Sequence, residues 1–73
     1  MTPAQCRAAR ALIEIRQGEL AEQASVGLST VVDFEKERRR VAGPSIAAIR
    51  AALEAAGVQF IEQNGGGAGV RLK

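Results

Sequence analysis

The sequence predicts a mainly α-helical fold: a compact bundle of four helices followed by a C-terminal β-hairpin. Apolar residues recur at helical spacing from the N-terminus to Ala56. Capping residues, glycines and prolines divide this region into four segments. Beyond Gly57, the segments VQFIE and GVRLK flank the turn NGGGAG, which is typical of a hairpin. We therefore divide the chain into a helical domain at 1–57 and a hairpin at 58–73.

The first helix has a strong start signal. Thr2 is a capping residue, Pro3 fits the first helical position, and Gln5 completes a T-x-x-Q capping box. We expect this helix to run to about Glu14. Its apolar face consists of Cys6, Ala9, Leu12 and Ile13.

The next two helices are short. We expect the second from about Gln17 to Ala24, and the third from about Leu28 to Lys36. The inner face of the second helix consists of Leu20, Ala21 and Ala24. In the third helix, Val31 and Phe34 lie three residues apart and are the expected core contacts.

The fourth helix follows a loop at 37–44. Pro44 suits its first turn, and Gly57 is a natural stop after Ala56. Its apolar face consists of Ile46, Ile49, Leu53 and Ala56.

The hairpin should carry one apolar face, made of Val58, Phe60, Val70 and Leu72. A lone hairpin is marginal in water and must pack on something. It either lies on the last helix of its own chain or pairs with the hairpin of a second chain through an open edge. These four residues are therefore candidates for dimerisation.

Composition favours a small protein with a thin core. Of the 73 residues, 14 are alanine, and small scaffolds of this kind often gain stability as oligomers. A homodimer is thus expected. The net charge of +2 is mild, but KERRR at 36–40 is a local basic cluster, either a phosphate-binding segment or a solvated charge run.

Several functional classes lack their usual residues. With one cysteine and no histidine, the chain has neither a disulfide framework nor the ligands of a zinc site. Cys6 fits a small core residue. No nucleophile–base pair or phosphate-loop motif is present, so we expect no enzyme activity and no cofactor. No membrane span or signal peptide is visible, and we expect a cytoplasmic protein.

The segment QGELAEQASVGLSTVVDFEKERRR, residues 17–40, resembles the helix-turn-helix of the phage-repressor and Cro-like (XRE-type) regulators. The matching positions are Gln17, Leu20-Ala21, Ala24, Val26, Ser29-Thr30, Val31, Phe34-Glu35 and the basic residues that follow. Including the flanking helices, the resemblance covers roughly residues 3 to 57. It implies a λ-repressor-like bundle that binds double-stranded operator DNA. Such a protein would be cytoplasmic and associated with the nucleoid through its DNA.

The resemblance also implies roles for individual residues. The implied DNA-binding positions are Arg16, Gln17, Leu28, Ser29, Val32, Asp33, Lys36, Arg38, Arg39 and Arg40. Arg10 and Glu35 would form a structural ion pair between the first and third helices. Simpler alternatives remain: Gln17 as a solvated helix start, Ser29 as a helix-start residue, and the arginines as a solubilising loop.

Helix geometry agrees with these positions. At 100° per residue, one face of the third helix carries Leu28, Ser29, Val32, Asp33 and Lys36. If Val31 and Phe34 anchor the helix to the core, this face points outward. The N-terminal residues of such a helix reach base edges in the major groove.

Three positions depart from the family pattern. Arg16 replaces the usual Ser or Thr cap of the second helix, and Ser25 stands where glycine is common. Gly27 replaces the Ser or Thr cap of the third helix. Because serine tolerates positive φ poorly, we expect a turn strained by about 1 kcal/mol or shifted in geometry.

The outward face of the third helix also lacks Arg, Asn and Gln, which make paired hydrogen bonds to bases. Leu28 and Val32 suit thymine methyl groups, and Asp33 can accept from cytosine N4. Affinity would depend on the arginines and on DNA shape.

We therefore expect a homodimeric, bacterial-type transcriptional regulator, by default a repressor, that binds a near-palindromic operator. The alternative is a protein-binding module, an antiactivator or an antitoxin, whose partner contacts Leu28 and Val32.

Overall fold

The computed structural model describes all residues from 1 to 73 and confirms a mainly α-helical fold with a C-terminal antiparallel hairpin. The elements are α1 (Pro3–Ile13), α2 (Gln17–Ala24), α3 (Leu28–Lys36), α4 (Gly43–Ala55), β1 (Val58–Ile61) and β2 (Gly69–Leu72). The helix limits differ from the expected ones by at most one residue. Gly57, just beyond α4, has φ +104°, as expected of a glycine that ends a helix.

The capping box of α1 is present. Thr2 Oγ1 accepts the N–H of Gln5 at 3.0 Å, and Gln5 Oε1 accepts the N–H of Thr2 at 2.8 Å. The amide nitrogen of Gln5 also donates to the carbonyls of Ile61 and Gly69, at 3.2 and 2.9 Å. One buried glutamine thus caps the first helix and ties the hairpin to it.

The core draws on all four helices and on β1. Its buried hydrophobic residues are Cys6, Ala9, Leu20, Ala21, Ala24, Val31, Phe34, Val41, Ile49, Leu53, Val58 and Phe60. Two expected core residues are exceptions, because Leu12 is 41% exposed and Ala56 is exposed. Leu12 lies at the edge of the apolar stripe in the last turn of α1, and Ala56 lies beyond the last turn of α4.

The hairpin packs on its own chain. Val58 pairs with Leu72, and Phe60 pairs with Val70, so these four residues share a face as expected. Val58 and Phe60 are buried against α1 and α4, whereas Leu72 is 53% exposed. The side chains of Val58 and Phe60 are therefore not available to a second chain. Dimerisation remains a prediction that relies on Leu72 and the strand edges.

The turn between α2 and α3 contains a strained serine. Ser25 adopts the left-handed conformation, with φ 56° and ψ 41°, and its N–H donates to the carbonyl of Glu22 at 3.2 Å. Gly27 is extended, with φ −70° and ψ 149°, and does not use the freedom of glycine. The turn is thus strained at Ser25, and this left-handed serine costs on the order of 1 kcal/mol.

Replacing Ser25 by glycine should stabilise the protein. Glycine adopts φ 56° without a Cβ clash, so we expect Ser25→Gly to raise the free energy of unfolding by about 0.5–1 kcal/mol in urea denaturation. Ser25→Ala, which keeps the Cβ, is the matched control and should give no gain. Equal effects of the two substitutions would contradict strain at this position.

Candidate functional site

A buried carboxylate lies where α1, α2 and α3 meet. Glu35 is 2% exposed, and it forms the ion pair with Arg10 that was expected from the sequence. Arg10 approaches as a fork, with Nε 2.6 Å from Oε2 and Nη2 2.7 Å from Oε1. Gln17 Nε2 donates to Oε1 at 3.0 Å, and Cys6 Sγ donates to Oε2 at 3.3 Å. We call Cys6, Arg10, Gln17 and Glu35 the Glu35 cluster.

Two further hydrogen bonds attach the backbone to this cluster. Arg10 Nη1 donates to the carbonyl of Ile15, in the connection between α1 and α2, at 3.2 Å. Arg7 Nη1 donates to the carbonyl of Glu35 itself. Every buried polar side-chain atom of the protein has a hydrogen-bond partner. The cluster therefore holds three helices and one connection in a single arrangement.

The cluster shifts the protonation equilibria of its members. Burial alone would raise the pKa of Glu35, but the hydrogen bonds from Arg10, Gln17 and Cys6 outweigh burial, and the pKa is lowered. The hydrogen bond to Glu35 raises the pKa of Arg10. Burial, together with the hydrogen bond to Glu35, raises the pKa of Cys6 to about 12. Cys6 is thus a neutral thiol donor in the core.

Gln17 has a second role that its sequence position did not indicate. It was expected to contact the DNA backbone from the start of α2. One N–H of its amide is instead directed inward to Glu35, while the residue remains partly exposed. The second amide N–H and the amide oxygen have no protein partner and are available for an external contact.

A cleft opens beside the cluster, between α1, the start of α2 and the end of α3. Its lining residues are Arg7, Arg10, Ile15, Arg16, Gln17, Glu35 and Lys36. Glu35 is the one acid among them and is already paired. Glu19 Oε1 accepts the N–H of Arg16, just before α2, at 3.0 Å, whereas no side chain accepts from the first N–H groups of α2 itself. Helix N-termini with open N–H groups favour anions.

Arg7 is a cleft residue that the sequence interpretation did not single out. It lies one helical turn before Arg10 on α1, and that spacing is the signal that identifies it.

The outward face of α3 contains the five expected residues, which we call the α3 face: Leu28, Ser29, Val32, Asp33 and Lys36. Leu28 is 53% exposed, and Ser29 and Lys36 are also exposed. Val32 and Asp33 are half-buried, whereas Val31 and Phe34 are buried on the opposite side. The exposed surface at the start of α3 is therefore uncharged, with the apolar side chain of Leu28 beside the hydroxyl of Ser29.

The loop between α3 and α4 carries Arg38, Arg39 and Arg40, all exposed. Arg39 Nε forms an ion pair with Asp33 Oδ2 at 2.8 Å. Arg38 and Arg40 have no carboxylate partner, and Glu37 is the one acid of the loop. The sequence interpretation assigned Arg39 and Asp33 to separate contacts and missed their pairing, because no periodicity relates a helix to the loop behind it.

These parts form one continuous surface. Lys36 belongs both to the cleft and to the α3 face, and the Arg39–Asp33 pair joins the α3 face to the arginine loop. Both acids in the cleft and the α3 face are neutralised by arginines of the same chain. The surface is therefore cationic in the cleft, at Lys36 and in the arginine loop, and uncharged around Leu28 and Val32.

No group of three His, Cys, Asp or Glu side chains is placed to hold a metal ion. No helix has the length and apolar content needed to cross a membrane. Neither protein-family models nor curated protein sequences match the chain.

The lowered pKa of Glu35 predicts a pH-dependent stability. An unfolded glutamate takes up its proton near pH 4.3, whereas folded Glu35 does so at lower pH, so the unfolded state binds more protons between the two values. The stabilisation is thus present above about pH 4.3 and is lost as the pH falls through the folded pKa. Glu35→Gln should flatten this dependence and lower the free energy of unfolding at pH 7 by about 3 kcal/mol.

The measurement is urea unfolding at a series of pH values between neutral and strongly acidic. Glu22→Gln, the same change at an exposed position of α2, is the control and should resemble wild type. A Glu35→Gln protein with unchanged stability and an unchanged acid slope would contradict the prediction.

Proposed function

We propose that this protein is a DNA-binding transcriptional regulator of the helix-turn-helix type, with α3 as the helix that enters the major groove. The observation that carries the proposal is the continuous surface described above, in which an exposed helix face is joined to a cationic cleft through Lys36 and to the arginine loop through the Arg39–Asp33 pair. This layout suits duplex DNA, where phosphates border a groove lined by base edges.

The cleft and the arginine loop would supply the phosphate contacts. The cleft offers Arg7, Arg16 and the open N–H groups of α2. In the loop, Arg38 and Arg40 are exposed and unpaired. Such contacts provide most of the sequence-independent affinity and set the register of the protein on the duplex.

The α3 face then determines how much sequence is read directly. Leu28 presents an exposed side chain to thymine methyl groups, and Val32 is half-exposed beside it. Ser29 and Lys36 are hydrogen-bond donors without a carboxylate partner. Because no Arg, Asn or Gln is present on this face, DNA shape would contribute a large share of the selectivity.

Regulators of this kind read two half-sites with two identical helices. A homodimer would place two copies of α3 about 34 Å apart on one side of a near-palindromic operator. Occlusion of a promoter is the simplest mechanism for a dimer bound in this way. The protein would thus act as a repressor.

DNA binding should depend steeply on salt. We expect wild-type protein to bind random duplex DNA at low salt and to weaken as salt rises, because each neutralised phosphate contributes about −0.9 to the log–log slope. Changing Arg38 and Arg40 to Ala should reduce the slope magnitude by about 2 in a fluorescence anisotropy titration.

The matched control removes the same charge from the hairpin, as Arg71→Ala with Lys73→Ala, because neither residue belongs to the cleft, the α3 face or the arginine loop. This control should retain the wild-type slope. Absence of binding to any duplex at low salt would exclude the proposal.

The homodimer is tested at Leu72. This residue is 53% exposed on the hairpin, so Leu72→Asp should leave the fold intact while it disrupts a hairpin interface. We expect sedimentation equilibrium to give a dimer for wild type and a monomer for this variant. A monomeric wild type, or a variant that remains dimeric, would contradict a hairpin-mediated dimer.

One observation favours a second candidate function. Leu28 is exposed at the uncharged start of α3 with Val32 half-exposed beside it, and this apolar pair suits a protein partner as well as thymine methyl groups. A protein-binding module, such as an antiactivator or an antitoxin, would use Leu28 and Val32 as this contact. In that case Leu28→Asp would abolish partner capture, and wild-type protein would show no salt-dependent duplex binding.

A further inference from the structure

The side chain of Arg39 lies along one flank of α3. Its Nε is 2.8 Å from Asp33 Oδ2, and its Nη2 is 3.5 Å from Thr30 Oγ1. Thr30 and Asp33 are three residues apart and lie one above the other on the helix. Arg39 thus extends from the loop back toward the start of α3, with its own side chain 50% exposed and that of Asp33 20% exposed.

This pairing leaves specific atoms of both residues unoccupied. No hydrogen bond reaches Asp33 Oδ1, and none leaves Arg39 Nη1. The carboxylate therefore keeps one accepting oxygen, and the guanidinium keeps donors for another contact. Arg38 and Arg40, in the same loop, have no comparable partner.

The charge of Asp33 matters for any approach to a polyanion. Duplex DNA carries one negative charge per roughly 1.7 Å of its axis, so a bare carboxylate on a groove-binding helix is repelled on both sides. The Arg39 guanidinium is 2.8 Å from the carboxylate, whereas the phosphates are farther away. The repulsion between the carboxylate and the phosphates is therefore cancelled by the attraction between the guanidinium and the phosphates. The guanidinium also limits the directions in which the remaining oxygen can point.

We propose that Arg39 is the counter-ion and positioning residue of Asp33, and that Asp33 Oδ1 determines specificity by accepting a hydrogen bond from a cytosine amino group. This inference depends on the proposed DNA binding. Cytosine is favoured over adenine because the adenine amino group has acceptors on both sides, N7 and thymine O4. The cytosine amino group has an acceptor on one side only, guanine O6.

The test compares Arg39→Ala with Arg38→Ala, each alone and combined with Asp33→Asn, by anisotropy on random duplex DNA. If Arg39 acts mainly as a counter-ion, Arg39→Ala should bind DNA at least about threefold more weakly than Arg38→Ala. A difference of this size is within the range of coupling free energies measured between neighbouring side chains. Adding Asp33→Asn should restore most of the binding lost in Arg39→Ala and little of that lost in Arg38→Ala. Equal losses that Asp33→Asn does not repair would overturn the counter-ion role.

Base preference is tested by selecting bound duplexes from a random pool. Wild type should prefer cytosine at one position of each half-site by about fivefold or more, and Asp33→Asn and Arg39→Ala should both lose that preference. Arg38→Ala should retain it. An unchanged preference in Asp33→Asn would overturn the reading role.

The outcomes also separate this inference from the proposed function. Wild-type protein that binds no duplex at low salt overturns both. Wild-type protein that binds with a steep salt dependence, while Arg39→Ala behaves like Arg38→Ala, overturns the inference alone. The melting temperature of Arg39→Ala, followed by circular dichroism, should equal that of wild type, because Arg39 is half-exposed. Any loss of binding in a variant with an unchanged melting temperature is then due to the missing ion pair.

Discussion

The buried carboxylate of Glu35 is the group on which the arrangement of the helices depends. A charge in a small core is costly unless hydrogen bonds replace its water, and here four donor groups from α1 and α2 do so. The requirement is geometric as well as energetic, since α1 and α2 must approach α3 at one distance and angle to place those donors. Several of the other core residues are alanines, whose small side chains specify the relative orientation of the helices only weakly. The hydrogen bonds to Glu35 therefore fix that orientation.

The Glu35 cluster decides which side of α3 faces outward. Glu35 and the neighbouring Phe34 direct one side of the helix inward, so the α3 face must lie on the surface. Gln17 links the two parts of the site, because the same amide that holds Glu35 also begins α2 beside the cationic cleft. An anion bound at that cleft would therefore contact residues that also set the position of α3.

Local sequence rules predicted the elements well because each depends on near neighbours. The Thr2–Gln5 box, the helix limits and the shared face of Val58, Phe60, Val70 and Leu72 follow from spacings of two to four residues and from turn signals. The exposed Leu12 did not follow, since helical periodicity gives a direction and not the position of the core edge. At Ser25 the surrounding structure overrides a local preference. The adjoining helices hold this residue at a φ that is unfavourable for serine.

For the candidate site, the sequence by itself determined the composition of the α3 face, the location of the arginines and, through family resemblance, the Arg10–Glu35 pair. Only the tertiary structure decided how these charges are distributed between internal pairs and solvent. Gln17 and Cys6 are directed to Glu35, and Arg39 is directed to Asp33, whereas Arg38 and Arg40 remain free. The physical reason is that a charged side chain takes its partner by distance in space, and residues separated by 6 to 29 positions along the chain come within hydrogen-bonding range only after folding.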